Sequence, residues 1–211
     1  MKFLVAELAA IAVVNMVLAP VACAQAKPDL ARGQQIATTV CVACHGADGH
    51  SPLPINPHLA GQVEQYIASQ LAAFKSGKEE GGRLRVNPIM AGMAAGLSPE
   101  DMKAVGAFFS SQKMTRPAVA SNRKLAEEGQ KIYRAGIKKI DVPACAGCHA
   151  ATGAGIPAQY PRLAGQWPEY TLQSLQAFAG NQRKHPVMTA IAKRMNEAQM
   201  KAVAEYTAGM R

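Results

Sequence analysis

The sequence predicts an all-α protein in which two similar helical domains follow one another after an N-terminal export signal. Three observations support this fold class. The first residues have the order of a secretory signal, the rest of the 211-residue chain is an internal repeat, and each copy has apolar residues at helical spacing. Each copy also contains one Cys-x-x-Cys-His motif, so the repeat includes residues that can carry chemistry.

The N-terminal segment, residues 1–24, begins with Met1-Lys2, continues as an apolar run and ends in Ala22-Cys23-Ala24. A positive start, an apolar stretch and a small-x-small site are typical of a cleaved signal peptide. We expect cleavage after Ala24, with Ala26 as the second choice. The mature protein is therefore expected in the periplasm.

Two alternatives to simple cleavage stay open. The apolar run is marginal in length for a membrane anchor and is interrupted by Glu7, so a retained anchor is the weaker interpretation. Lipidation of Cys23 is also weaker, because Pro20 stands where a lipidation signal has a large aliphatic residue. Cleavage removes Cys23, and the four remaining cysteines all belong to the two CxxCH motifs.

The internal repeat has an offset of 104 residues, which changes to 98 in the second part of each copy. A loop of the second copy is therefore shorter by six residues, and insertions and deletions normally fall in loops. We predict one domain over residues 25–115, a linker over 116–122 that contains a proline and lacks periodicity, and a second domain over 123–211. The paired residues include Cys41 with Cys145, Pro57 with Pro161, Tyr66 with Tyr170, and Met90 with Met188.

Helical spacing and capping signals predict three main helices in each domain. Val63, Ile67, Leu71 and Phe74 lie on one helical face, and Ser98-Pro99-Glu100-Asp101 supplies an N-cap, a first-turn proline and early acids. The predicted helices cover residues 29–40, 63–74 and 98–109 in the first domain, and 122–135, 170–178 and a segment from 196 in the second.

The CxxCH spacing is typical of covalent haem attachment, because two thiols can form thioethers to the vinyl groups of one haem while the adjacent His reaches the iron. We predict two haem c groups. A zinc site would need the two motifs to converge on one ion, although they lie in separate copies, and a redox dithiol would need a βαβ context. The predicted attachment residues are Cys41, Cys44, Cys145 and Cys148, and the predicted proximal iron ligands are His45 and His149.

A sixth ligand decides whether such an iron transfers electrons or stays open to substrates. Met90 and Met188 recur in both copies, each two residues after a proline in a predicted loop, and we predict that they are the second axial ligands. The other recurring pair, Met102 and Met200, lies at core spacing inside the last helix of each copy. His/Met ligation raises the reduction potential and suits electron transfer, so we predict an electron carrier with no catalytic residues.

Some recurring or isolated residues have less specific interpretations. Pro57 and Pro161 follow the proximal histidines by twelve residues, and their carbonyls are either hydrogen-bond acceptors for those imidazoles or part of simple turns. We expect the histidines without a counterpart in the other copy, His50, His58 and His185, to be exposed or to lie in loops. We expect Tyr66, Tyr170 and Trp167 to pack in apolar surroundings. The basic residues that we expect to form a solvated face are Lys75, Lys78, Arg83 and Arg85.

The net charge of +9 predicts an acidic partner surface or an anionic membrane face. The charges are scattered, without an arginine-rich run or interleaved aromatic residues, so a nucleic-acid partner is not expected.

The doubled CxxCH motif, the Pro-x-Leu-Ala-Gly-Gln segment after each copy and the segments 90–98 and 188–196 resemble the cytochrome c4 family over residues 29–211. This resemblance implies two class I cytochrome c domains related by a pseudo-twofold axis, His/Met ligation at both irons, and haem propionates near the domain interface. It also implies packing of Gly33 on Phe108 and of Gly129 on Tyr206. His58 departs from the basic residue that this family usually has before Leu-Ala-Gly-Gln.

The resemblance further implies a periplasmic carrier, free or associated peripherally with the membrane, that delivers electrons to a terminal oxidase from a quinol-oxidising complex or a dehydrogenase. The alternative is a cytochrome subunit of a dehydrogenase complex, for example in flavin-linked sulfide oxidation. A dihaem peroxidase is less favoured, because such an enzyme needs an iron with a vacant or displaceable ligand, whereas both copies offer a matched methionine.

Overall fold

The structure is a computed structural model that describes residues 27–211. The predicted signal peptide, its cleavage sites and Cys23 lie outside the described residues. The first half contains α1 (Leu30–Ile36), α2 (Val42–His45), α3 (Glu64–Ser76), strand β1 (Leu84–Arg85), α4 (Pro88–Ala95) and α5 (Pro99–Ser111). The second half contains α6 (Arg123–Ala135), α7 (Ala146–His149), α8 (Pro168–Ala179), strand β2 (Arg183–Lys184), α9 (Pro186–Ala192) and α10 (Glu197–Gly209).

The predicted fold class is confirmed, since helices dominate and the two halves repeat the same order of elements. Two short turns of other helix types were not predicted. A π-helical segment, Ala37–Cys41, continues α1 directly into α2, and a 3-10 turn, Lys138–Ile140, lies between α6 and α7. The second half therefore enters its CxxCH motif by a different backbone route from the first half.

The helix starts follow from capping chemistry. Ser98 and Asp101 form a reciprocal capping box at α5, and Asn196 with Gln199 forms the corresponding box at α10. Asn87 caps α4 ahead of a proline at the first helical position, and the same arrangement starts α9. Met90 and Met188 therefore lie in short helices, and their predicted placement in loops was wrong.

Each half is held together by a close crossing of its first and last helices. A Cβ atom on Gly33 would lie 2.1 Å from the Ala104 carbonyl oxygen, and one on Gly129 would lie 1.9 Å from the Ala202 carbonyl oxygen. The Cβ atoms of Phe108 and Tyr206 would be 3.0 and 2.9 Å away, as the resemblance implied. Only glycine allows this approach, so the helix pair that frames each CxxCH segment depends on it.

The two halves are joined by contacts that repeat about a pseudo-twofold axis. Strands β1 and β2 pair antiparallel, with Leu84 opposite Lys184. The Gln62 side chain accepts from the backbone N–H of Arg162 at 2.8 Å and donates to its carbonyl at 3.0 Å. The Gln166 side chain bonds the backbone N–H and carbonyl of His58 in the same way, at 2.9 and 3.0 Å. Because each amide occupies both polar groups of one residue across the interface, these contacts fix how the halves face each other.

No helix between residues 27 and 211 has the length and apolarity needed to span a membrane.

Candidate haem-binding sites

The CxxCH motifs form single helical turns that end on the predicted proximal histidines. In the first motif Cys41 is half-buried and Cys44 is exposed, and in the second both Cys145 and Cys148 are half-buried. All four are free cysteines. Burial raises the pKa of the Cys41 and Cys145 thiols to about 11, so both stay protonated at neutral pH. A redox dithiol needs an accessible thiolate, and this environment disfavours that alternative.

Both proximal histidines are buried and oriented by the same hydrogen bond. The Nδ1 atom of His45 lies 2.9 Å from the Pro57 carbonyl oxygen, and that of His149 lies 3.0 Å from the Pro161 carbonyl oxygen. A carbonyl only accepts, so Nδ1 carries the proton. Burial lowers the pKa of both imidazoles. Each ring is therefore neutral with an Nε2 lone pair available, which is the state that an iron ligand requires.

The predicted methionine ligands pack at the edge of the hydrophobic core of their own half. Met90 packs against the hydrophobic core of the first half together with Cys41, and Met188 packs against the core of the second half. Both are half-buried, whereas Met102 and Met200 are fully buried within their cores, as expected for packing residues. The neutral imidazole, the thiol pair and the thioether of each half form a donor set that fits a c-type haem.

The domain interface contains further buried polar atoms that fit such a cofactor. His58 Nε2 and Trp167 Nε1 are buried without a hydrogen-bond partner among the described residues. The two rings stack with centroids 5.0 Å apart and an interplanar angle of 27°. Buried N–H groups normally have an acceptor, and haem carries carboxylates that can serve as acceptors.

His50 and His58 lie in loops, as one of the two predicted placements had it, but the other placement, solvent exposure, was wrong, because the residues are only 6% and 3% exposed. His50 accepts a hydrogen bond from the Thr115 backbone N–H at 3.0 Å, and its Nδ1 lies 3.0 Å from the Asp48 carboxylate. Burial lowers the pKa of His58 to about 4. Neither residue has a counterpart in the other half, so the repeat gave no signal for this cluster. The sequence signal for their burial was position, since His50 directly follows Gly49 and His58 directly follows Pro57.

The predicted solvated face was also wrong for Arg85. Its guanidinium lies 4.3 Å from the Phe74 ring centroid and donates to the Tyr170 hydroxyl at 2.7 Å. Arg183 makes the matching contacts, 4.3 Å from the Phe178 centroid and 2.5 Å from the Tyr66 hydroxyl. The two tyrosines, predicted as packing residues, therefore also accept hydrogen bonds across the domain interface.

Comparison with known proteins agrees with this geometry. The family model for cytochrome c matches residues 30–113 and 126–210. Cytochrome c4 of Azotobacter vinelandii is 38% identical over 89% of this chain and 91% of that protein. The chain is a member of the cytochrome c4 family. The crystal structure of reduced recombinant cytochrome c4 from Pseudomonas stutzeri superposes with a TM-score of 0.79 at 37% identity, covering 87% of this chain and 99% of that chain.

Membership of the cytochrome c4 family, with one cytochrome c domain in each half, confirms the predicted pair of haem c groups and the electron-transfer class. A thiosulfate dehydrogenase electron acceptor from Thiomonas intermedia is also similar, at 34% identity over 90% of this chain and 83% of that protein. The family relatives therefore include a protein named for accepting electrons from a dehydrogenase.

Proposed function

We propose that this cytochrome is a periplasmic carrier that passes single electrons through two His/Met-ligated haems, from a quinol-oxidising complex or a dehydrogenase to a terminal oxidase. The observation that carries the proposal is that both halves have the same complete donor set: a CxxCH turn, a neutral imidazole fixed by a proline carbonyl, and a core-packed methionine.

In this proposal Cys41, Cys44, Cys145 and Cys148 hold the two haems, and the axial ligands are His45 with Met90 and His149 with Met188. The bound haem supplies one-electron exchange between Fe(II) and Fe(III). The protein keeps both ligands in place through that exchange, because the imidazoles are fixed by hydrogen bonds and the methionines by core packing. A thioether ligand favours Fe(II), so the methionine side chains would raise the reduction potential of each haem.

Charge distribution supports an acidic partner surface that meets the second domain. Residues 25–115 contain eight Lys and Arg against seven Asp and Glu, whereas residues 123–211 contain thirteen against six. The second domain also has a groove of about 590 Å³ beside α9, with Val187 and Ile191 in its wall and Lys138 and Arg194 at its edge. Asp141 also lines this groove, so two cations and one carboxylate accompany its apolar residues. An apolar surface with a positive balance of charge suits docking of an acidic protein.

The equivalent groove of the first domain, about 390 Å³, has a different charge. Its wall contains Met93 and Val40, and its cation is Arg32, which is paired with Asp101 at 2.7 Å. This neutralised edge gives an acidic partner less attraction than the second domain does.

A redox titration of the mature holoprotein, followed optically, tests the proposal. Two haems per chain that titrate reversibly as one-electron centres are expected. Peroxide added with an electron donor should give no sustained turnover, since both irons have two protein ligands. Sustained peroxide turnover, or one haem per chain, would contradict the proposal.

A second candidate is the cytochrome subunit of a dehydrogenase complex, for example in flavin-linked sulfide oxidation. The similarity to a thiosulfate dehydrogenase electron acceptor favours it. Purification from the native membrane and periplasmic fractions separates the two: a carrier is recovered alone, whereas a subunit is recovered in a stoichiometric complex with a dehydrogenase.

A further inference from the structure

The loop between α3 and β1 of the first half, residues 77–83, belongs to the region in which the first copy is six residues longer than the second. Its tip is a two-residue turn at Gly81 and Gly82, whose φ angles of 56° and 73° are both left-handed. The backbone N–H groups of Glu80 and Arg83 each donate to the carbonyl of the other residue at 2.9 Å. Two successive positive φ angles are what a tight hairpin turn requires, so the 77–83 loop has a defined conformation.

The 77–83 loop reaches across the domain interface and contacts the second half at two residues. The Glu79 carboxylate lies 2.5 Å from the Lys184 ammonium, and the two side chains are 46% and 33% exposed. At the tip, a Cβ atom on Gly82 would lie 3.3 Å from Cγ of Pro186, so the turn lies close to the proline ring. The first half therefore holds a charged side chain and a proline of the second half with one loop.

The residues that the loop holds directly precede the predicted iron ligand of the second half. Helix α9 begins at Pro186, and Met188 is its third residue. The strand ahead of α9 is also held by the first half, because β2 pairs with β1 and the Val86 backbone N–H donates to the Gln182 carbonyl at 3.0 Å. The position of the Met188 side chain therefore depends on contacts made by the other half.

The methionine helix of the first half has no matching support in the sequence of the second. The corresponding loop there, residues 180–182, reads Gly-Asn-Gln and contains no acidic residue. Val86 aligns with Lys184, so the first half also lacks the cation that such a residue would pair with. The contact is therefore one-sided, and Met90 serves as an internal control for any effect on Met188.

We propose that the 77–83 loop is a positioning element for the second haem site: by holding Lys184 and Pro186 in place, it keeps the Met188 thioether on the iron. This inference rests on the proposed His/Met ligation. An iron that loses its methionine has an open position for other ligands, and a carrier needs that position closed in both oxidation states. A loop of the first domain thus maintains the electron-transfer coordination of the second.

Exchange of the charged pair tests the proposal on the mature holoprotein. Imidazole is added to the oxidised protein, where it competes with methionine for each iron, and the two ligated methionines are followed by separate NMR signals assigned with Met90→Ala and Met188→Ala. Glu79→Lys and Lys184→Glu should each lose the Met188 signal at an imidazole concentration about two- to fivefold lower than wild type does, the size expected for a surface ion pair. The double variant restores the pair and should restore the wild-type concentration, and the Met90 signal should not change in any of the three.

Two further variants separate positioning from charge and from loop length. Lys78→Glu changes the net charge as Lys184→Glu does, at an exposed position of the same loop, and should leave both methionine signals unchanged. Deletion of residues 78–83 removes two cations and two carboxylates, so the net charge stays the same, and it should free Met188 at a lower imidazole concentration than either single variant, because the Pro186 contact is lost as well.

The point variants keep the loop at full length, so they decide the question even if the deletion variant does not fold. Equal effects on both methionine signals in those variants, or no recovery in the double variant, would overturn the inference and leave the proposed function intact. A wild-type protein without two ligated methionine signals would overturn the proposed ligation and this inference with it.

Discussion

The described histidines fall into two groups according to what their ring nitrogens bond. In His45 and His149 the Nδ1 atom faces a carbonyl, so it donates and leaves Nε2 with a lone pair. In His50, His58 and His185 a ring nitrogen accepts from a backbone N–H instead. A metal ligand needs the first arrangement, and among residues 27–211 it occurs at the two CxxCH motifs.

Replacing the proposed methionine ligands should remove one thioether bond each. Met90→Ala and Met188→Ala should each abolish about half of the weak long-wavelength absorption band that thioether ligation gives to Fe(III), and each should lower the potential of its own haem. Met102→Leu, in the buried core of the first half, is the matched control and should leave the band unchanged. A full-strength band in both ligand variants would contradict the assignment.

At the scale of the elements, the first and last helices of each half can contact each other closely only because a glycine lies where they cross. Gly33→Ala would place a methyl group 2.1 Å from the Ala104 carbonyl oxygen, so α1 and α5 must separate. We expect a loss of about 1–3 kcal/mol in the free energy of unfolding. Gly92→Ala, in helix α4 with no neighbour within 4 Å, is the control and should gain up to about 1 kcal/mol. Chemical denaturation of the two holoproteins measures the difference, and equal stabilities would exclude the close crossing.

Asp101 joins the same two helices electrostatically. It accepts from the Arg32 guanidinium of α1 at 2.7 Å and from the Ser98 backbone N–H at 3.1 Å, and these bonds hold its pKa below the ordinary value of 3.8. A carboxyl group whose pKa is lowered by folding stabilises the fold at pH values above its ordinary pKa. That stabilisation is lost as the pH falls through the lowered pKa of the folded protein.

Asp101→Asn keeps an acceptor oxygen but removes the charge that Arg32 pairs with, so it should lose up to about 1 kcal/mol at neutral pH, and the difference from wild type should shrink as the solution is acidified below pH 3.8. The exposed pair of Arg123 and Glu127 provides the control, since Glu127→Gln should change stability little at any pH. A difference that does not vary with pH would show that the charge of Asp101 is unimportant.

The elements that sequence could predict were those determined locally. Ser98 and Asn196 carry their own capping signals, and the CxxCH motifs determine their own turns. The sequence signal for the helix at Met90 is Asn87 followed by Pro88, an N-cap and a first-turn proline, which a loop prediction based on the proline alone overlooks. The burial of His58 and Arg85 could not be predicted, because both depend on contacts with the other half, 85 to 108 residues away in the chain. Neither composition nor spacing within one copy contains that information.

At the scale of the whole molecule, reciprocal glutamine contacts hold the two domains. In a Gln62→Leu, Gln166→Leu double variant the backbone groups of His58 and Arg162 lose their partners, at a cost of about 1–3 kcal/mol for each group left buried and unpaired. We expect a lower thermal midpoint and faster hydrogen exchange at the His58 and Arg162 amides. Gln173→Leu, on the exposed face of α8, is the control and should change neither. Unchanged exchange in the double variant would mean that other contacts maintain the interface.

The uneven charge of the two domains makes a kinetic prediction that needs no identified partner. Ferricyanide is a small anion, so its rate of oxidising each reduced haem follows the local charge around that haem, and salt screens the attraction over about 8–10 Å near physiological ionic strength. We expect two phases, of which the faster, assigned to the second domain, slows markedly as salt is added. Lys138→Glu with Lys139→Glu should remove that salt dependence, because Lys138 lines the groove of the second domain and Lys139 follows it in the same exposed turn. Lys103→Glu with Lys113→Glu changes the net charge equally but alters exposed positions of the first domain, and should leave the faster phase unchanged. If both double variants slow the reaction equally, net charge and not a docking face governs it.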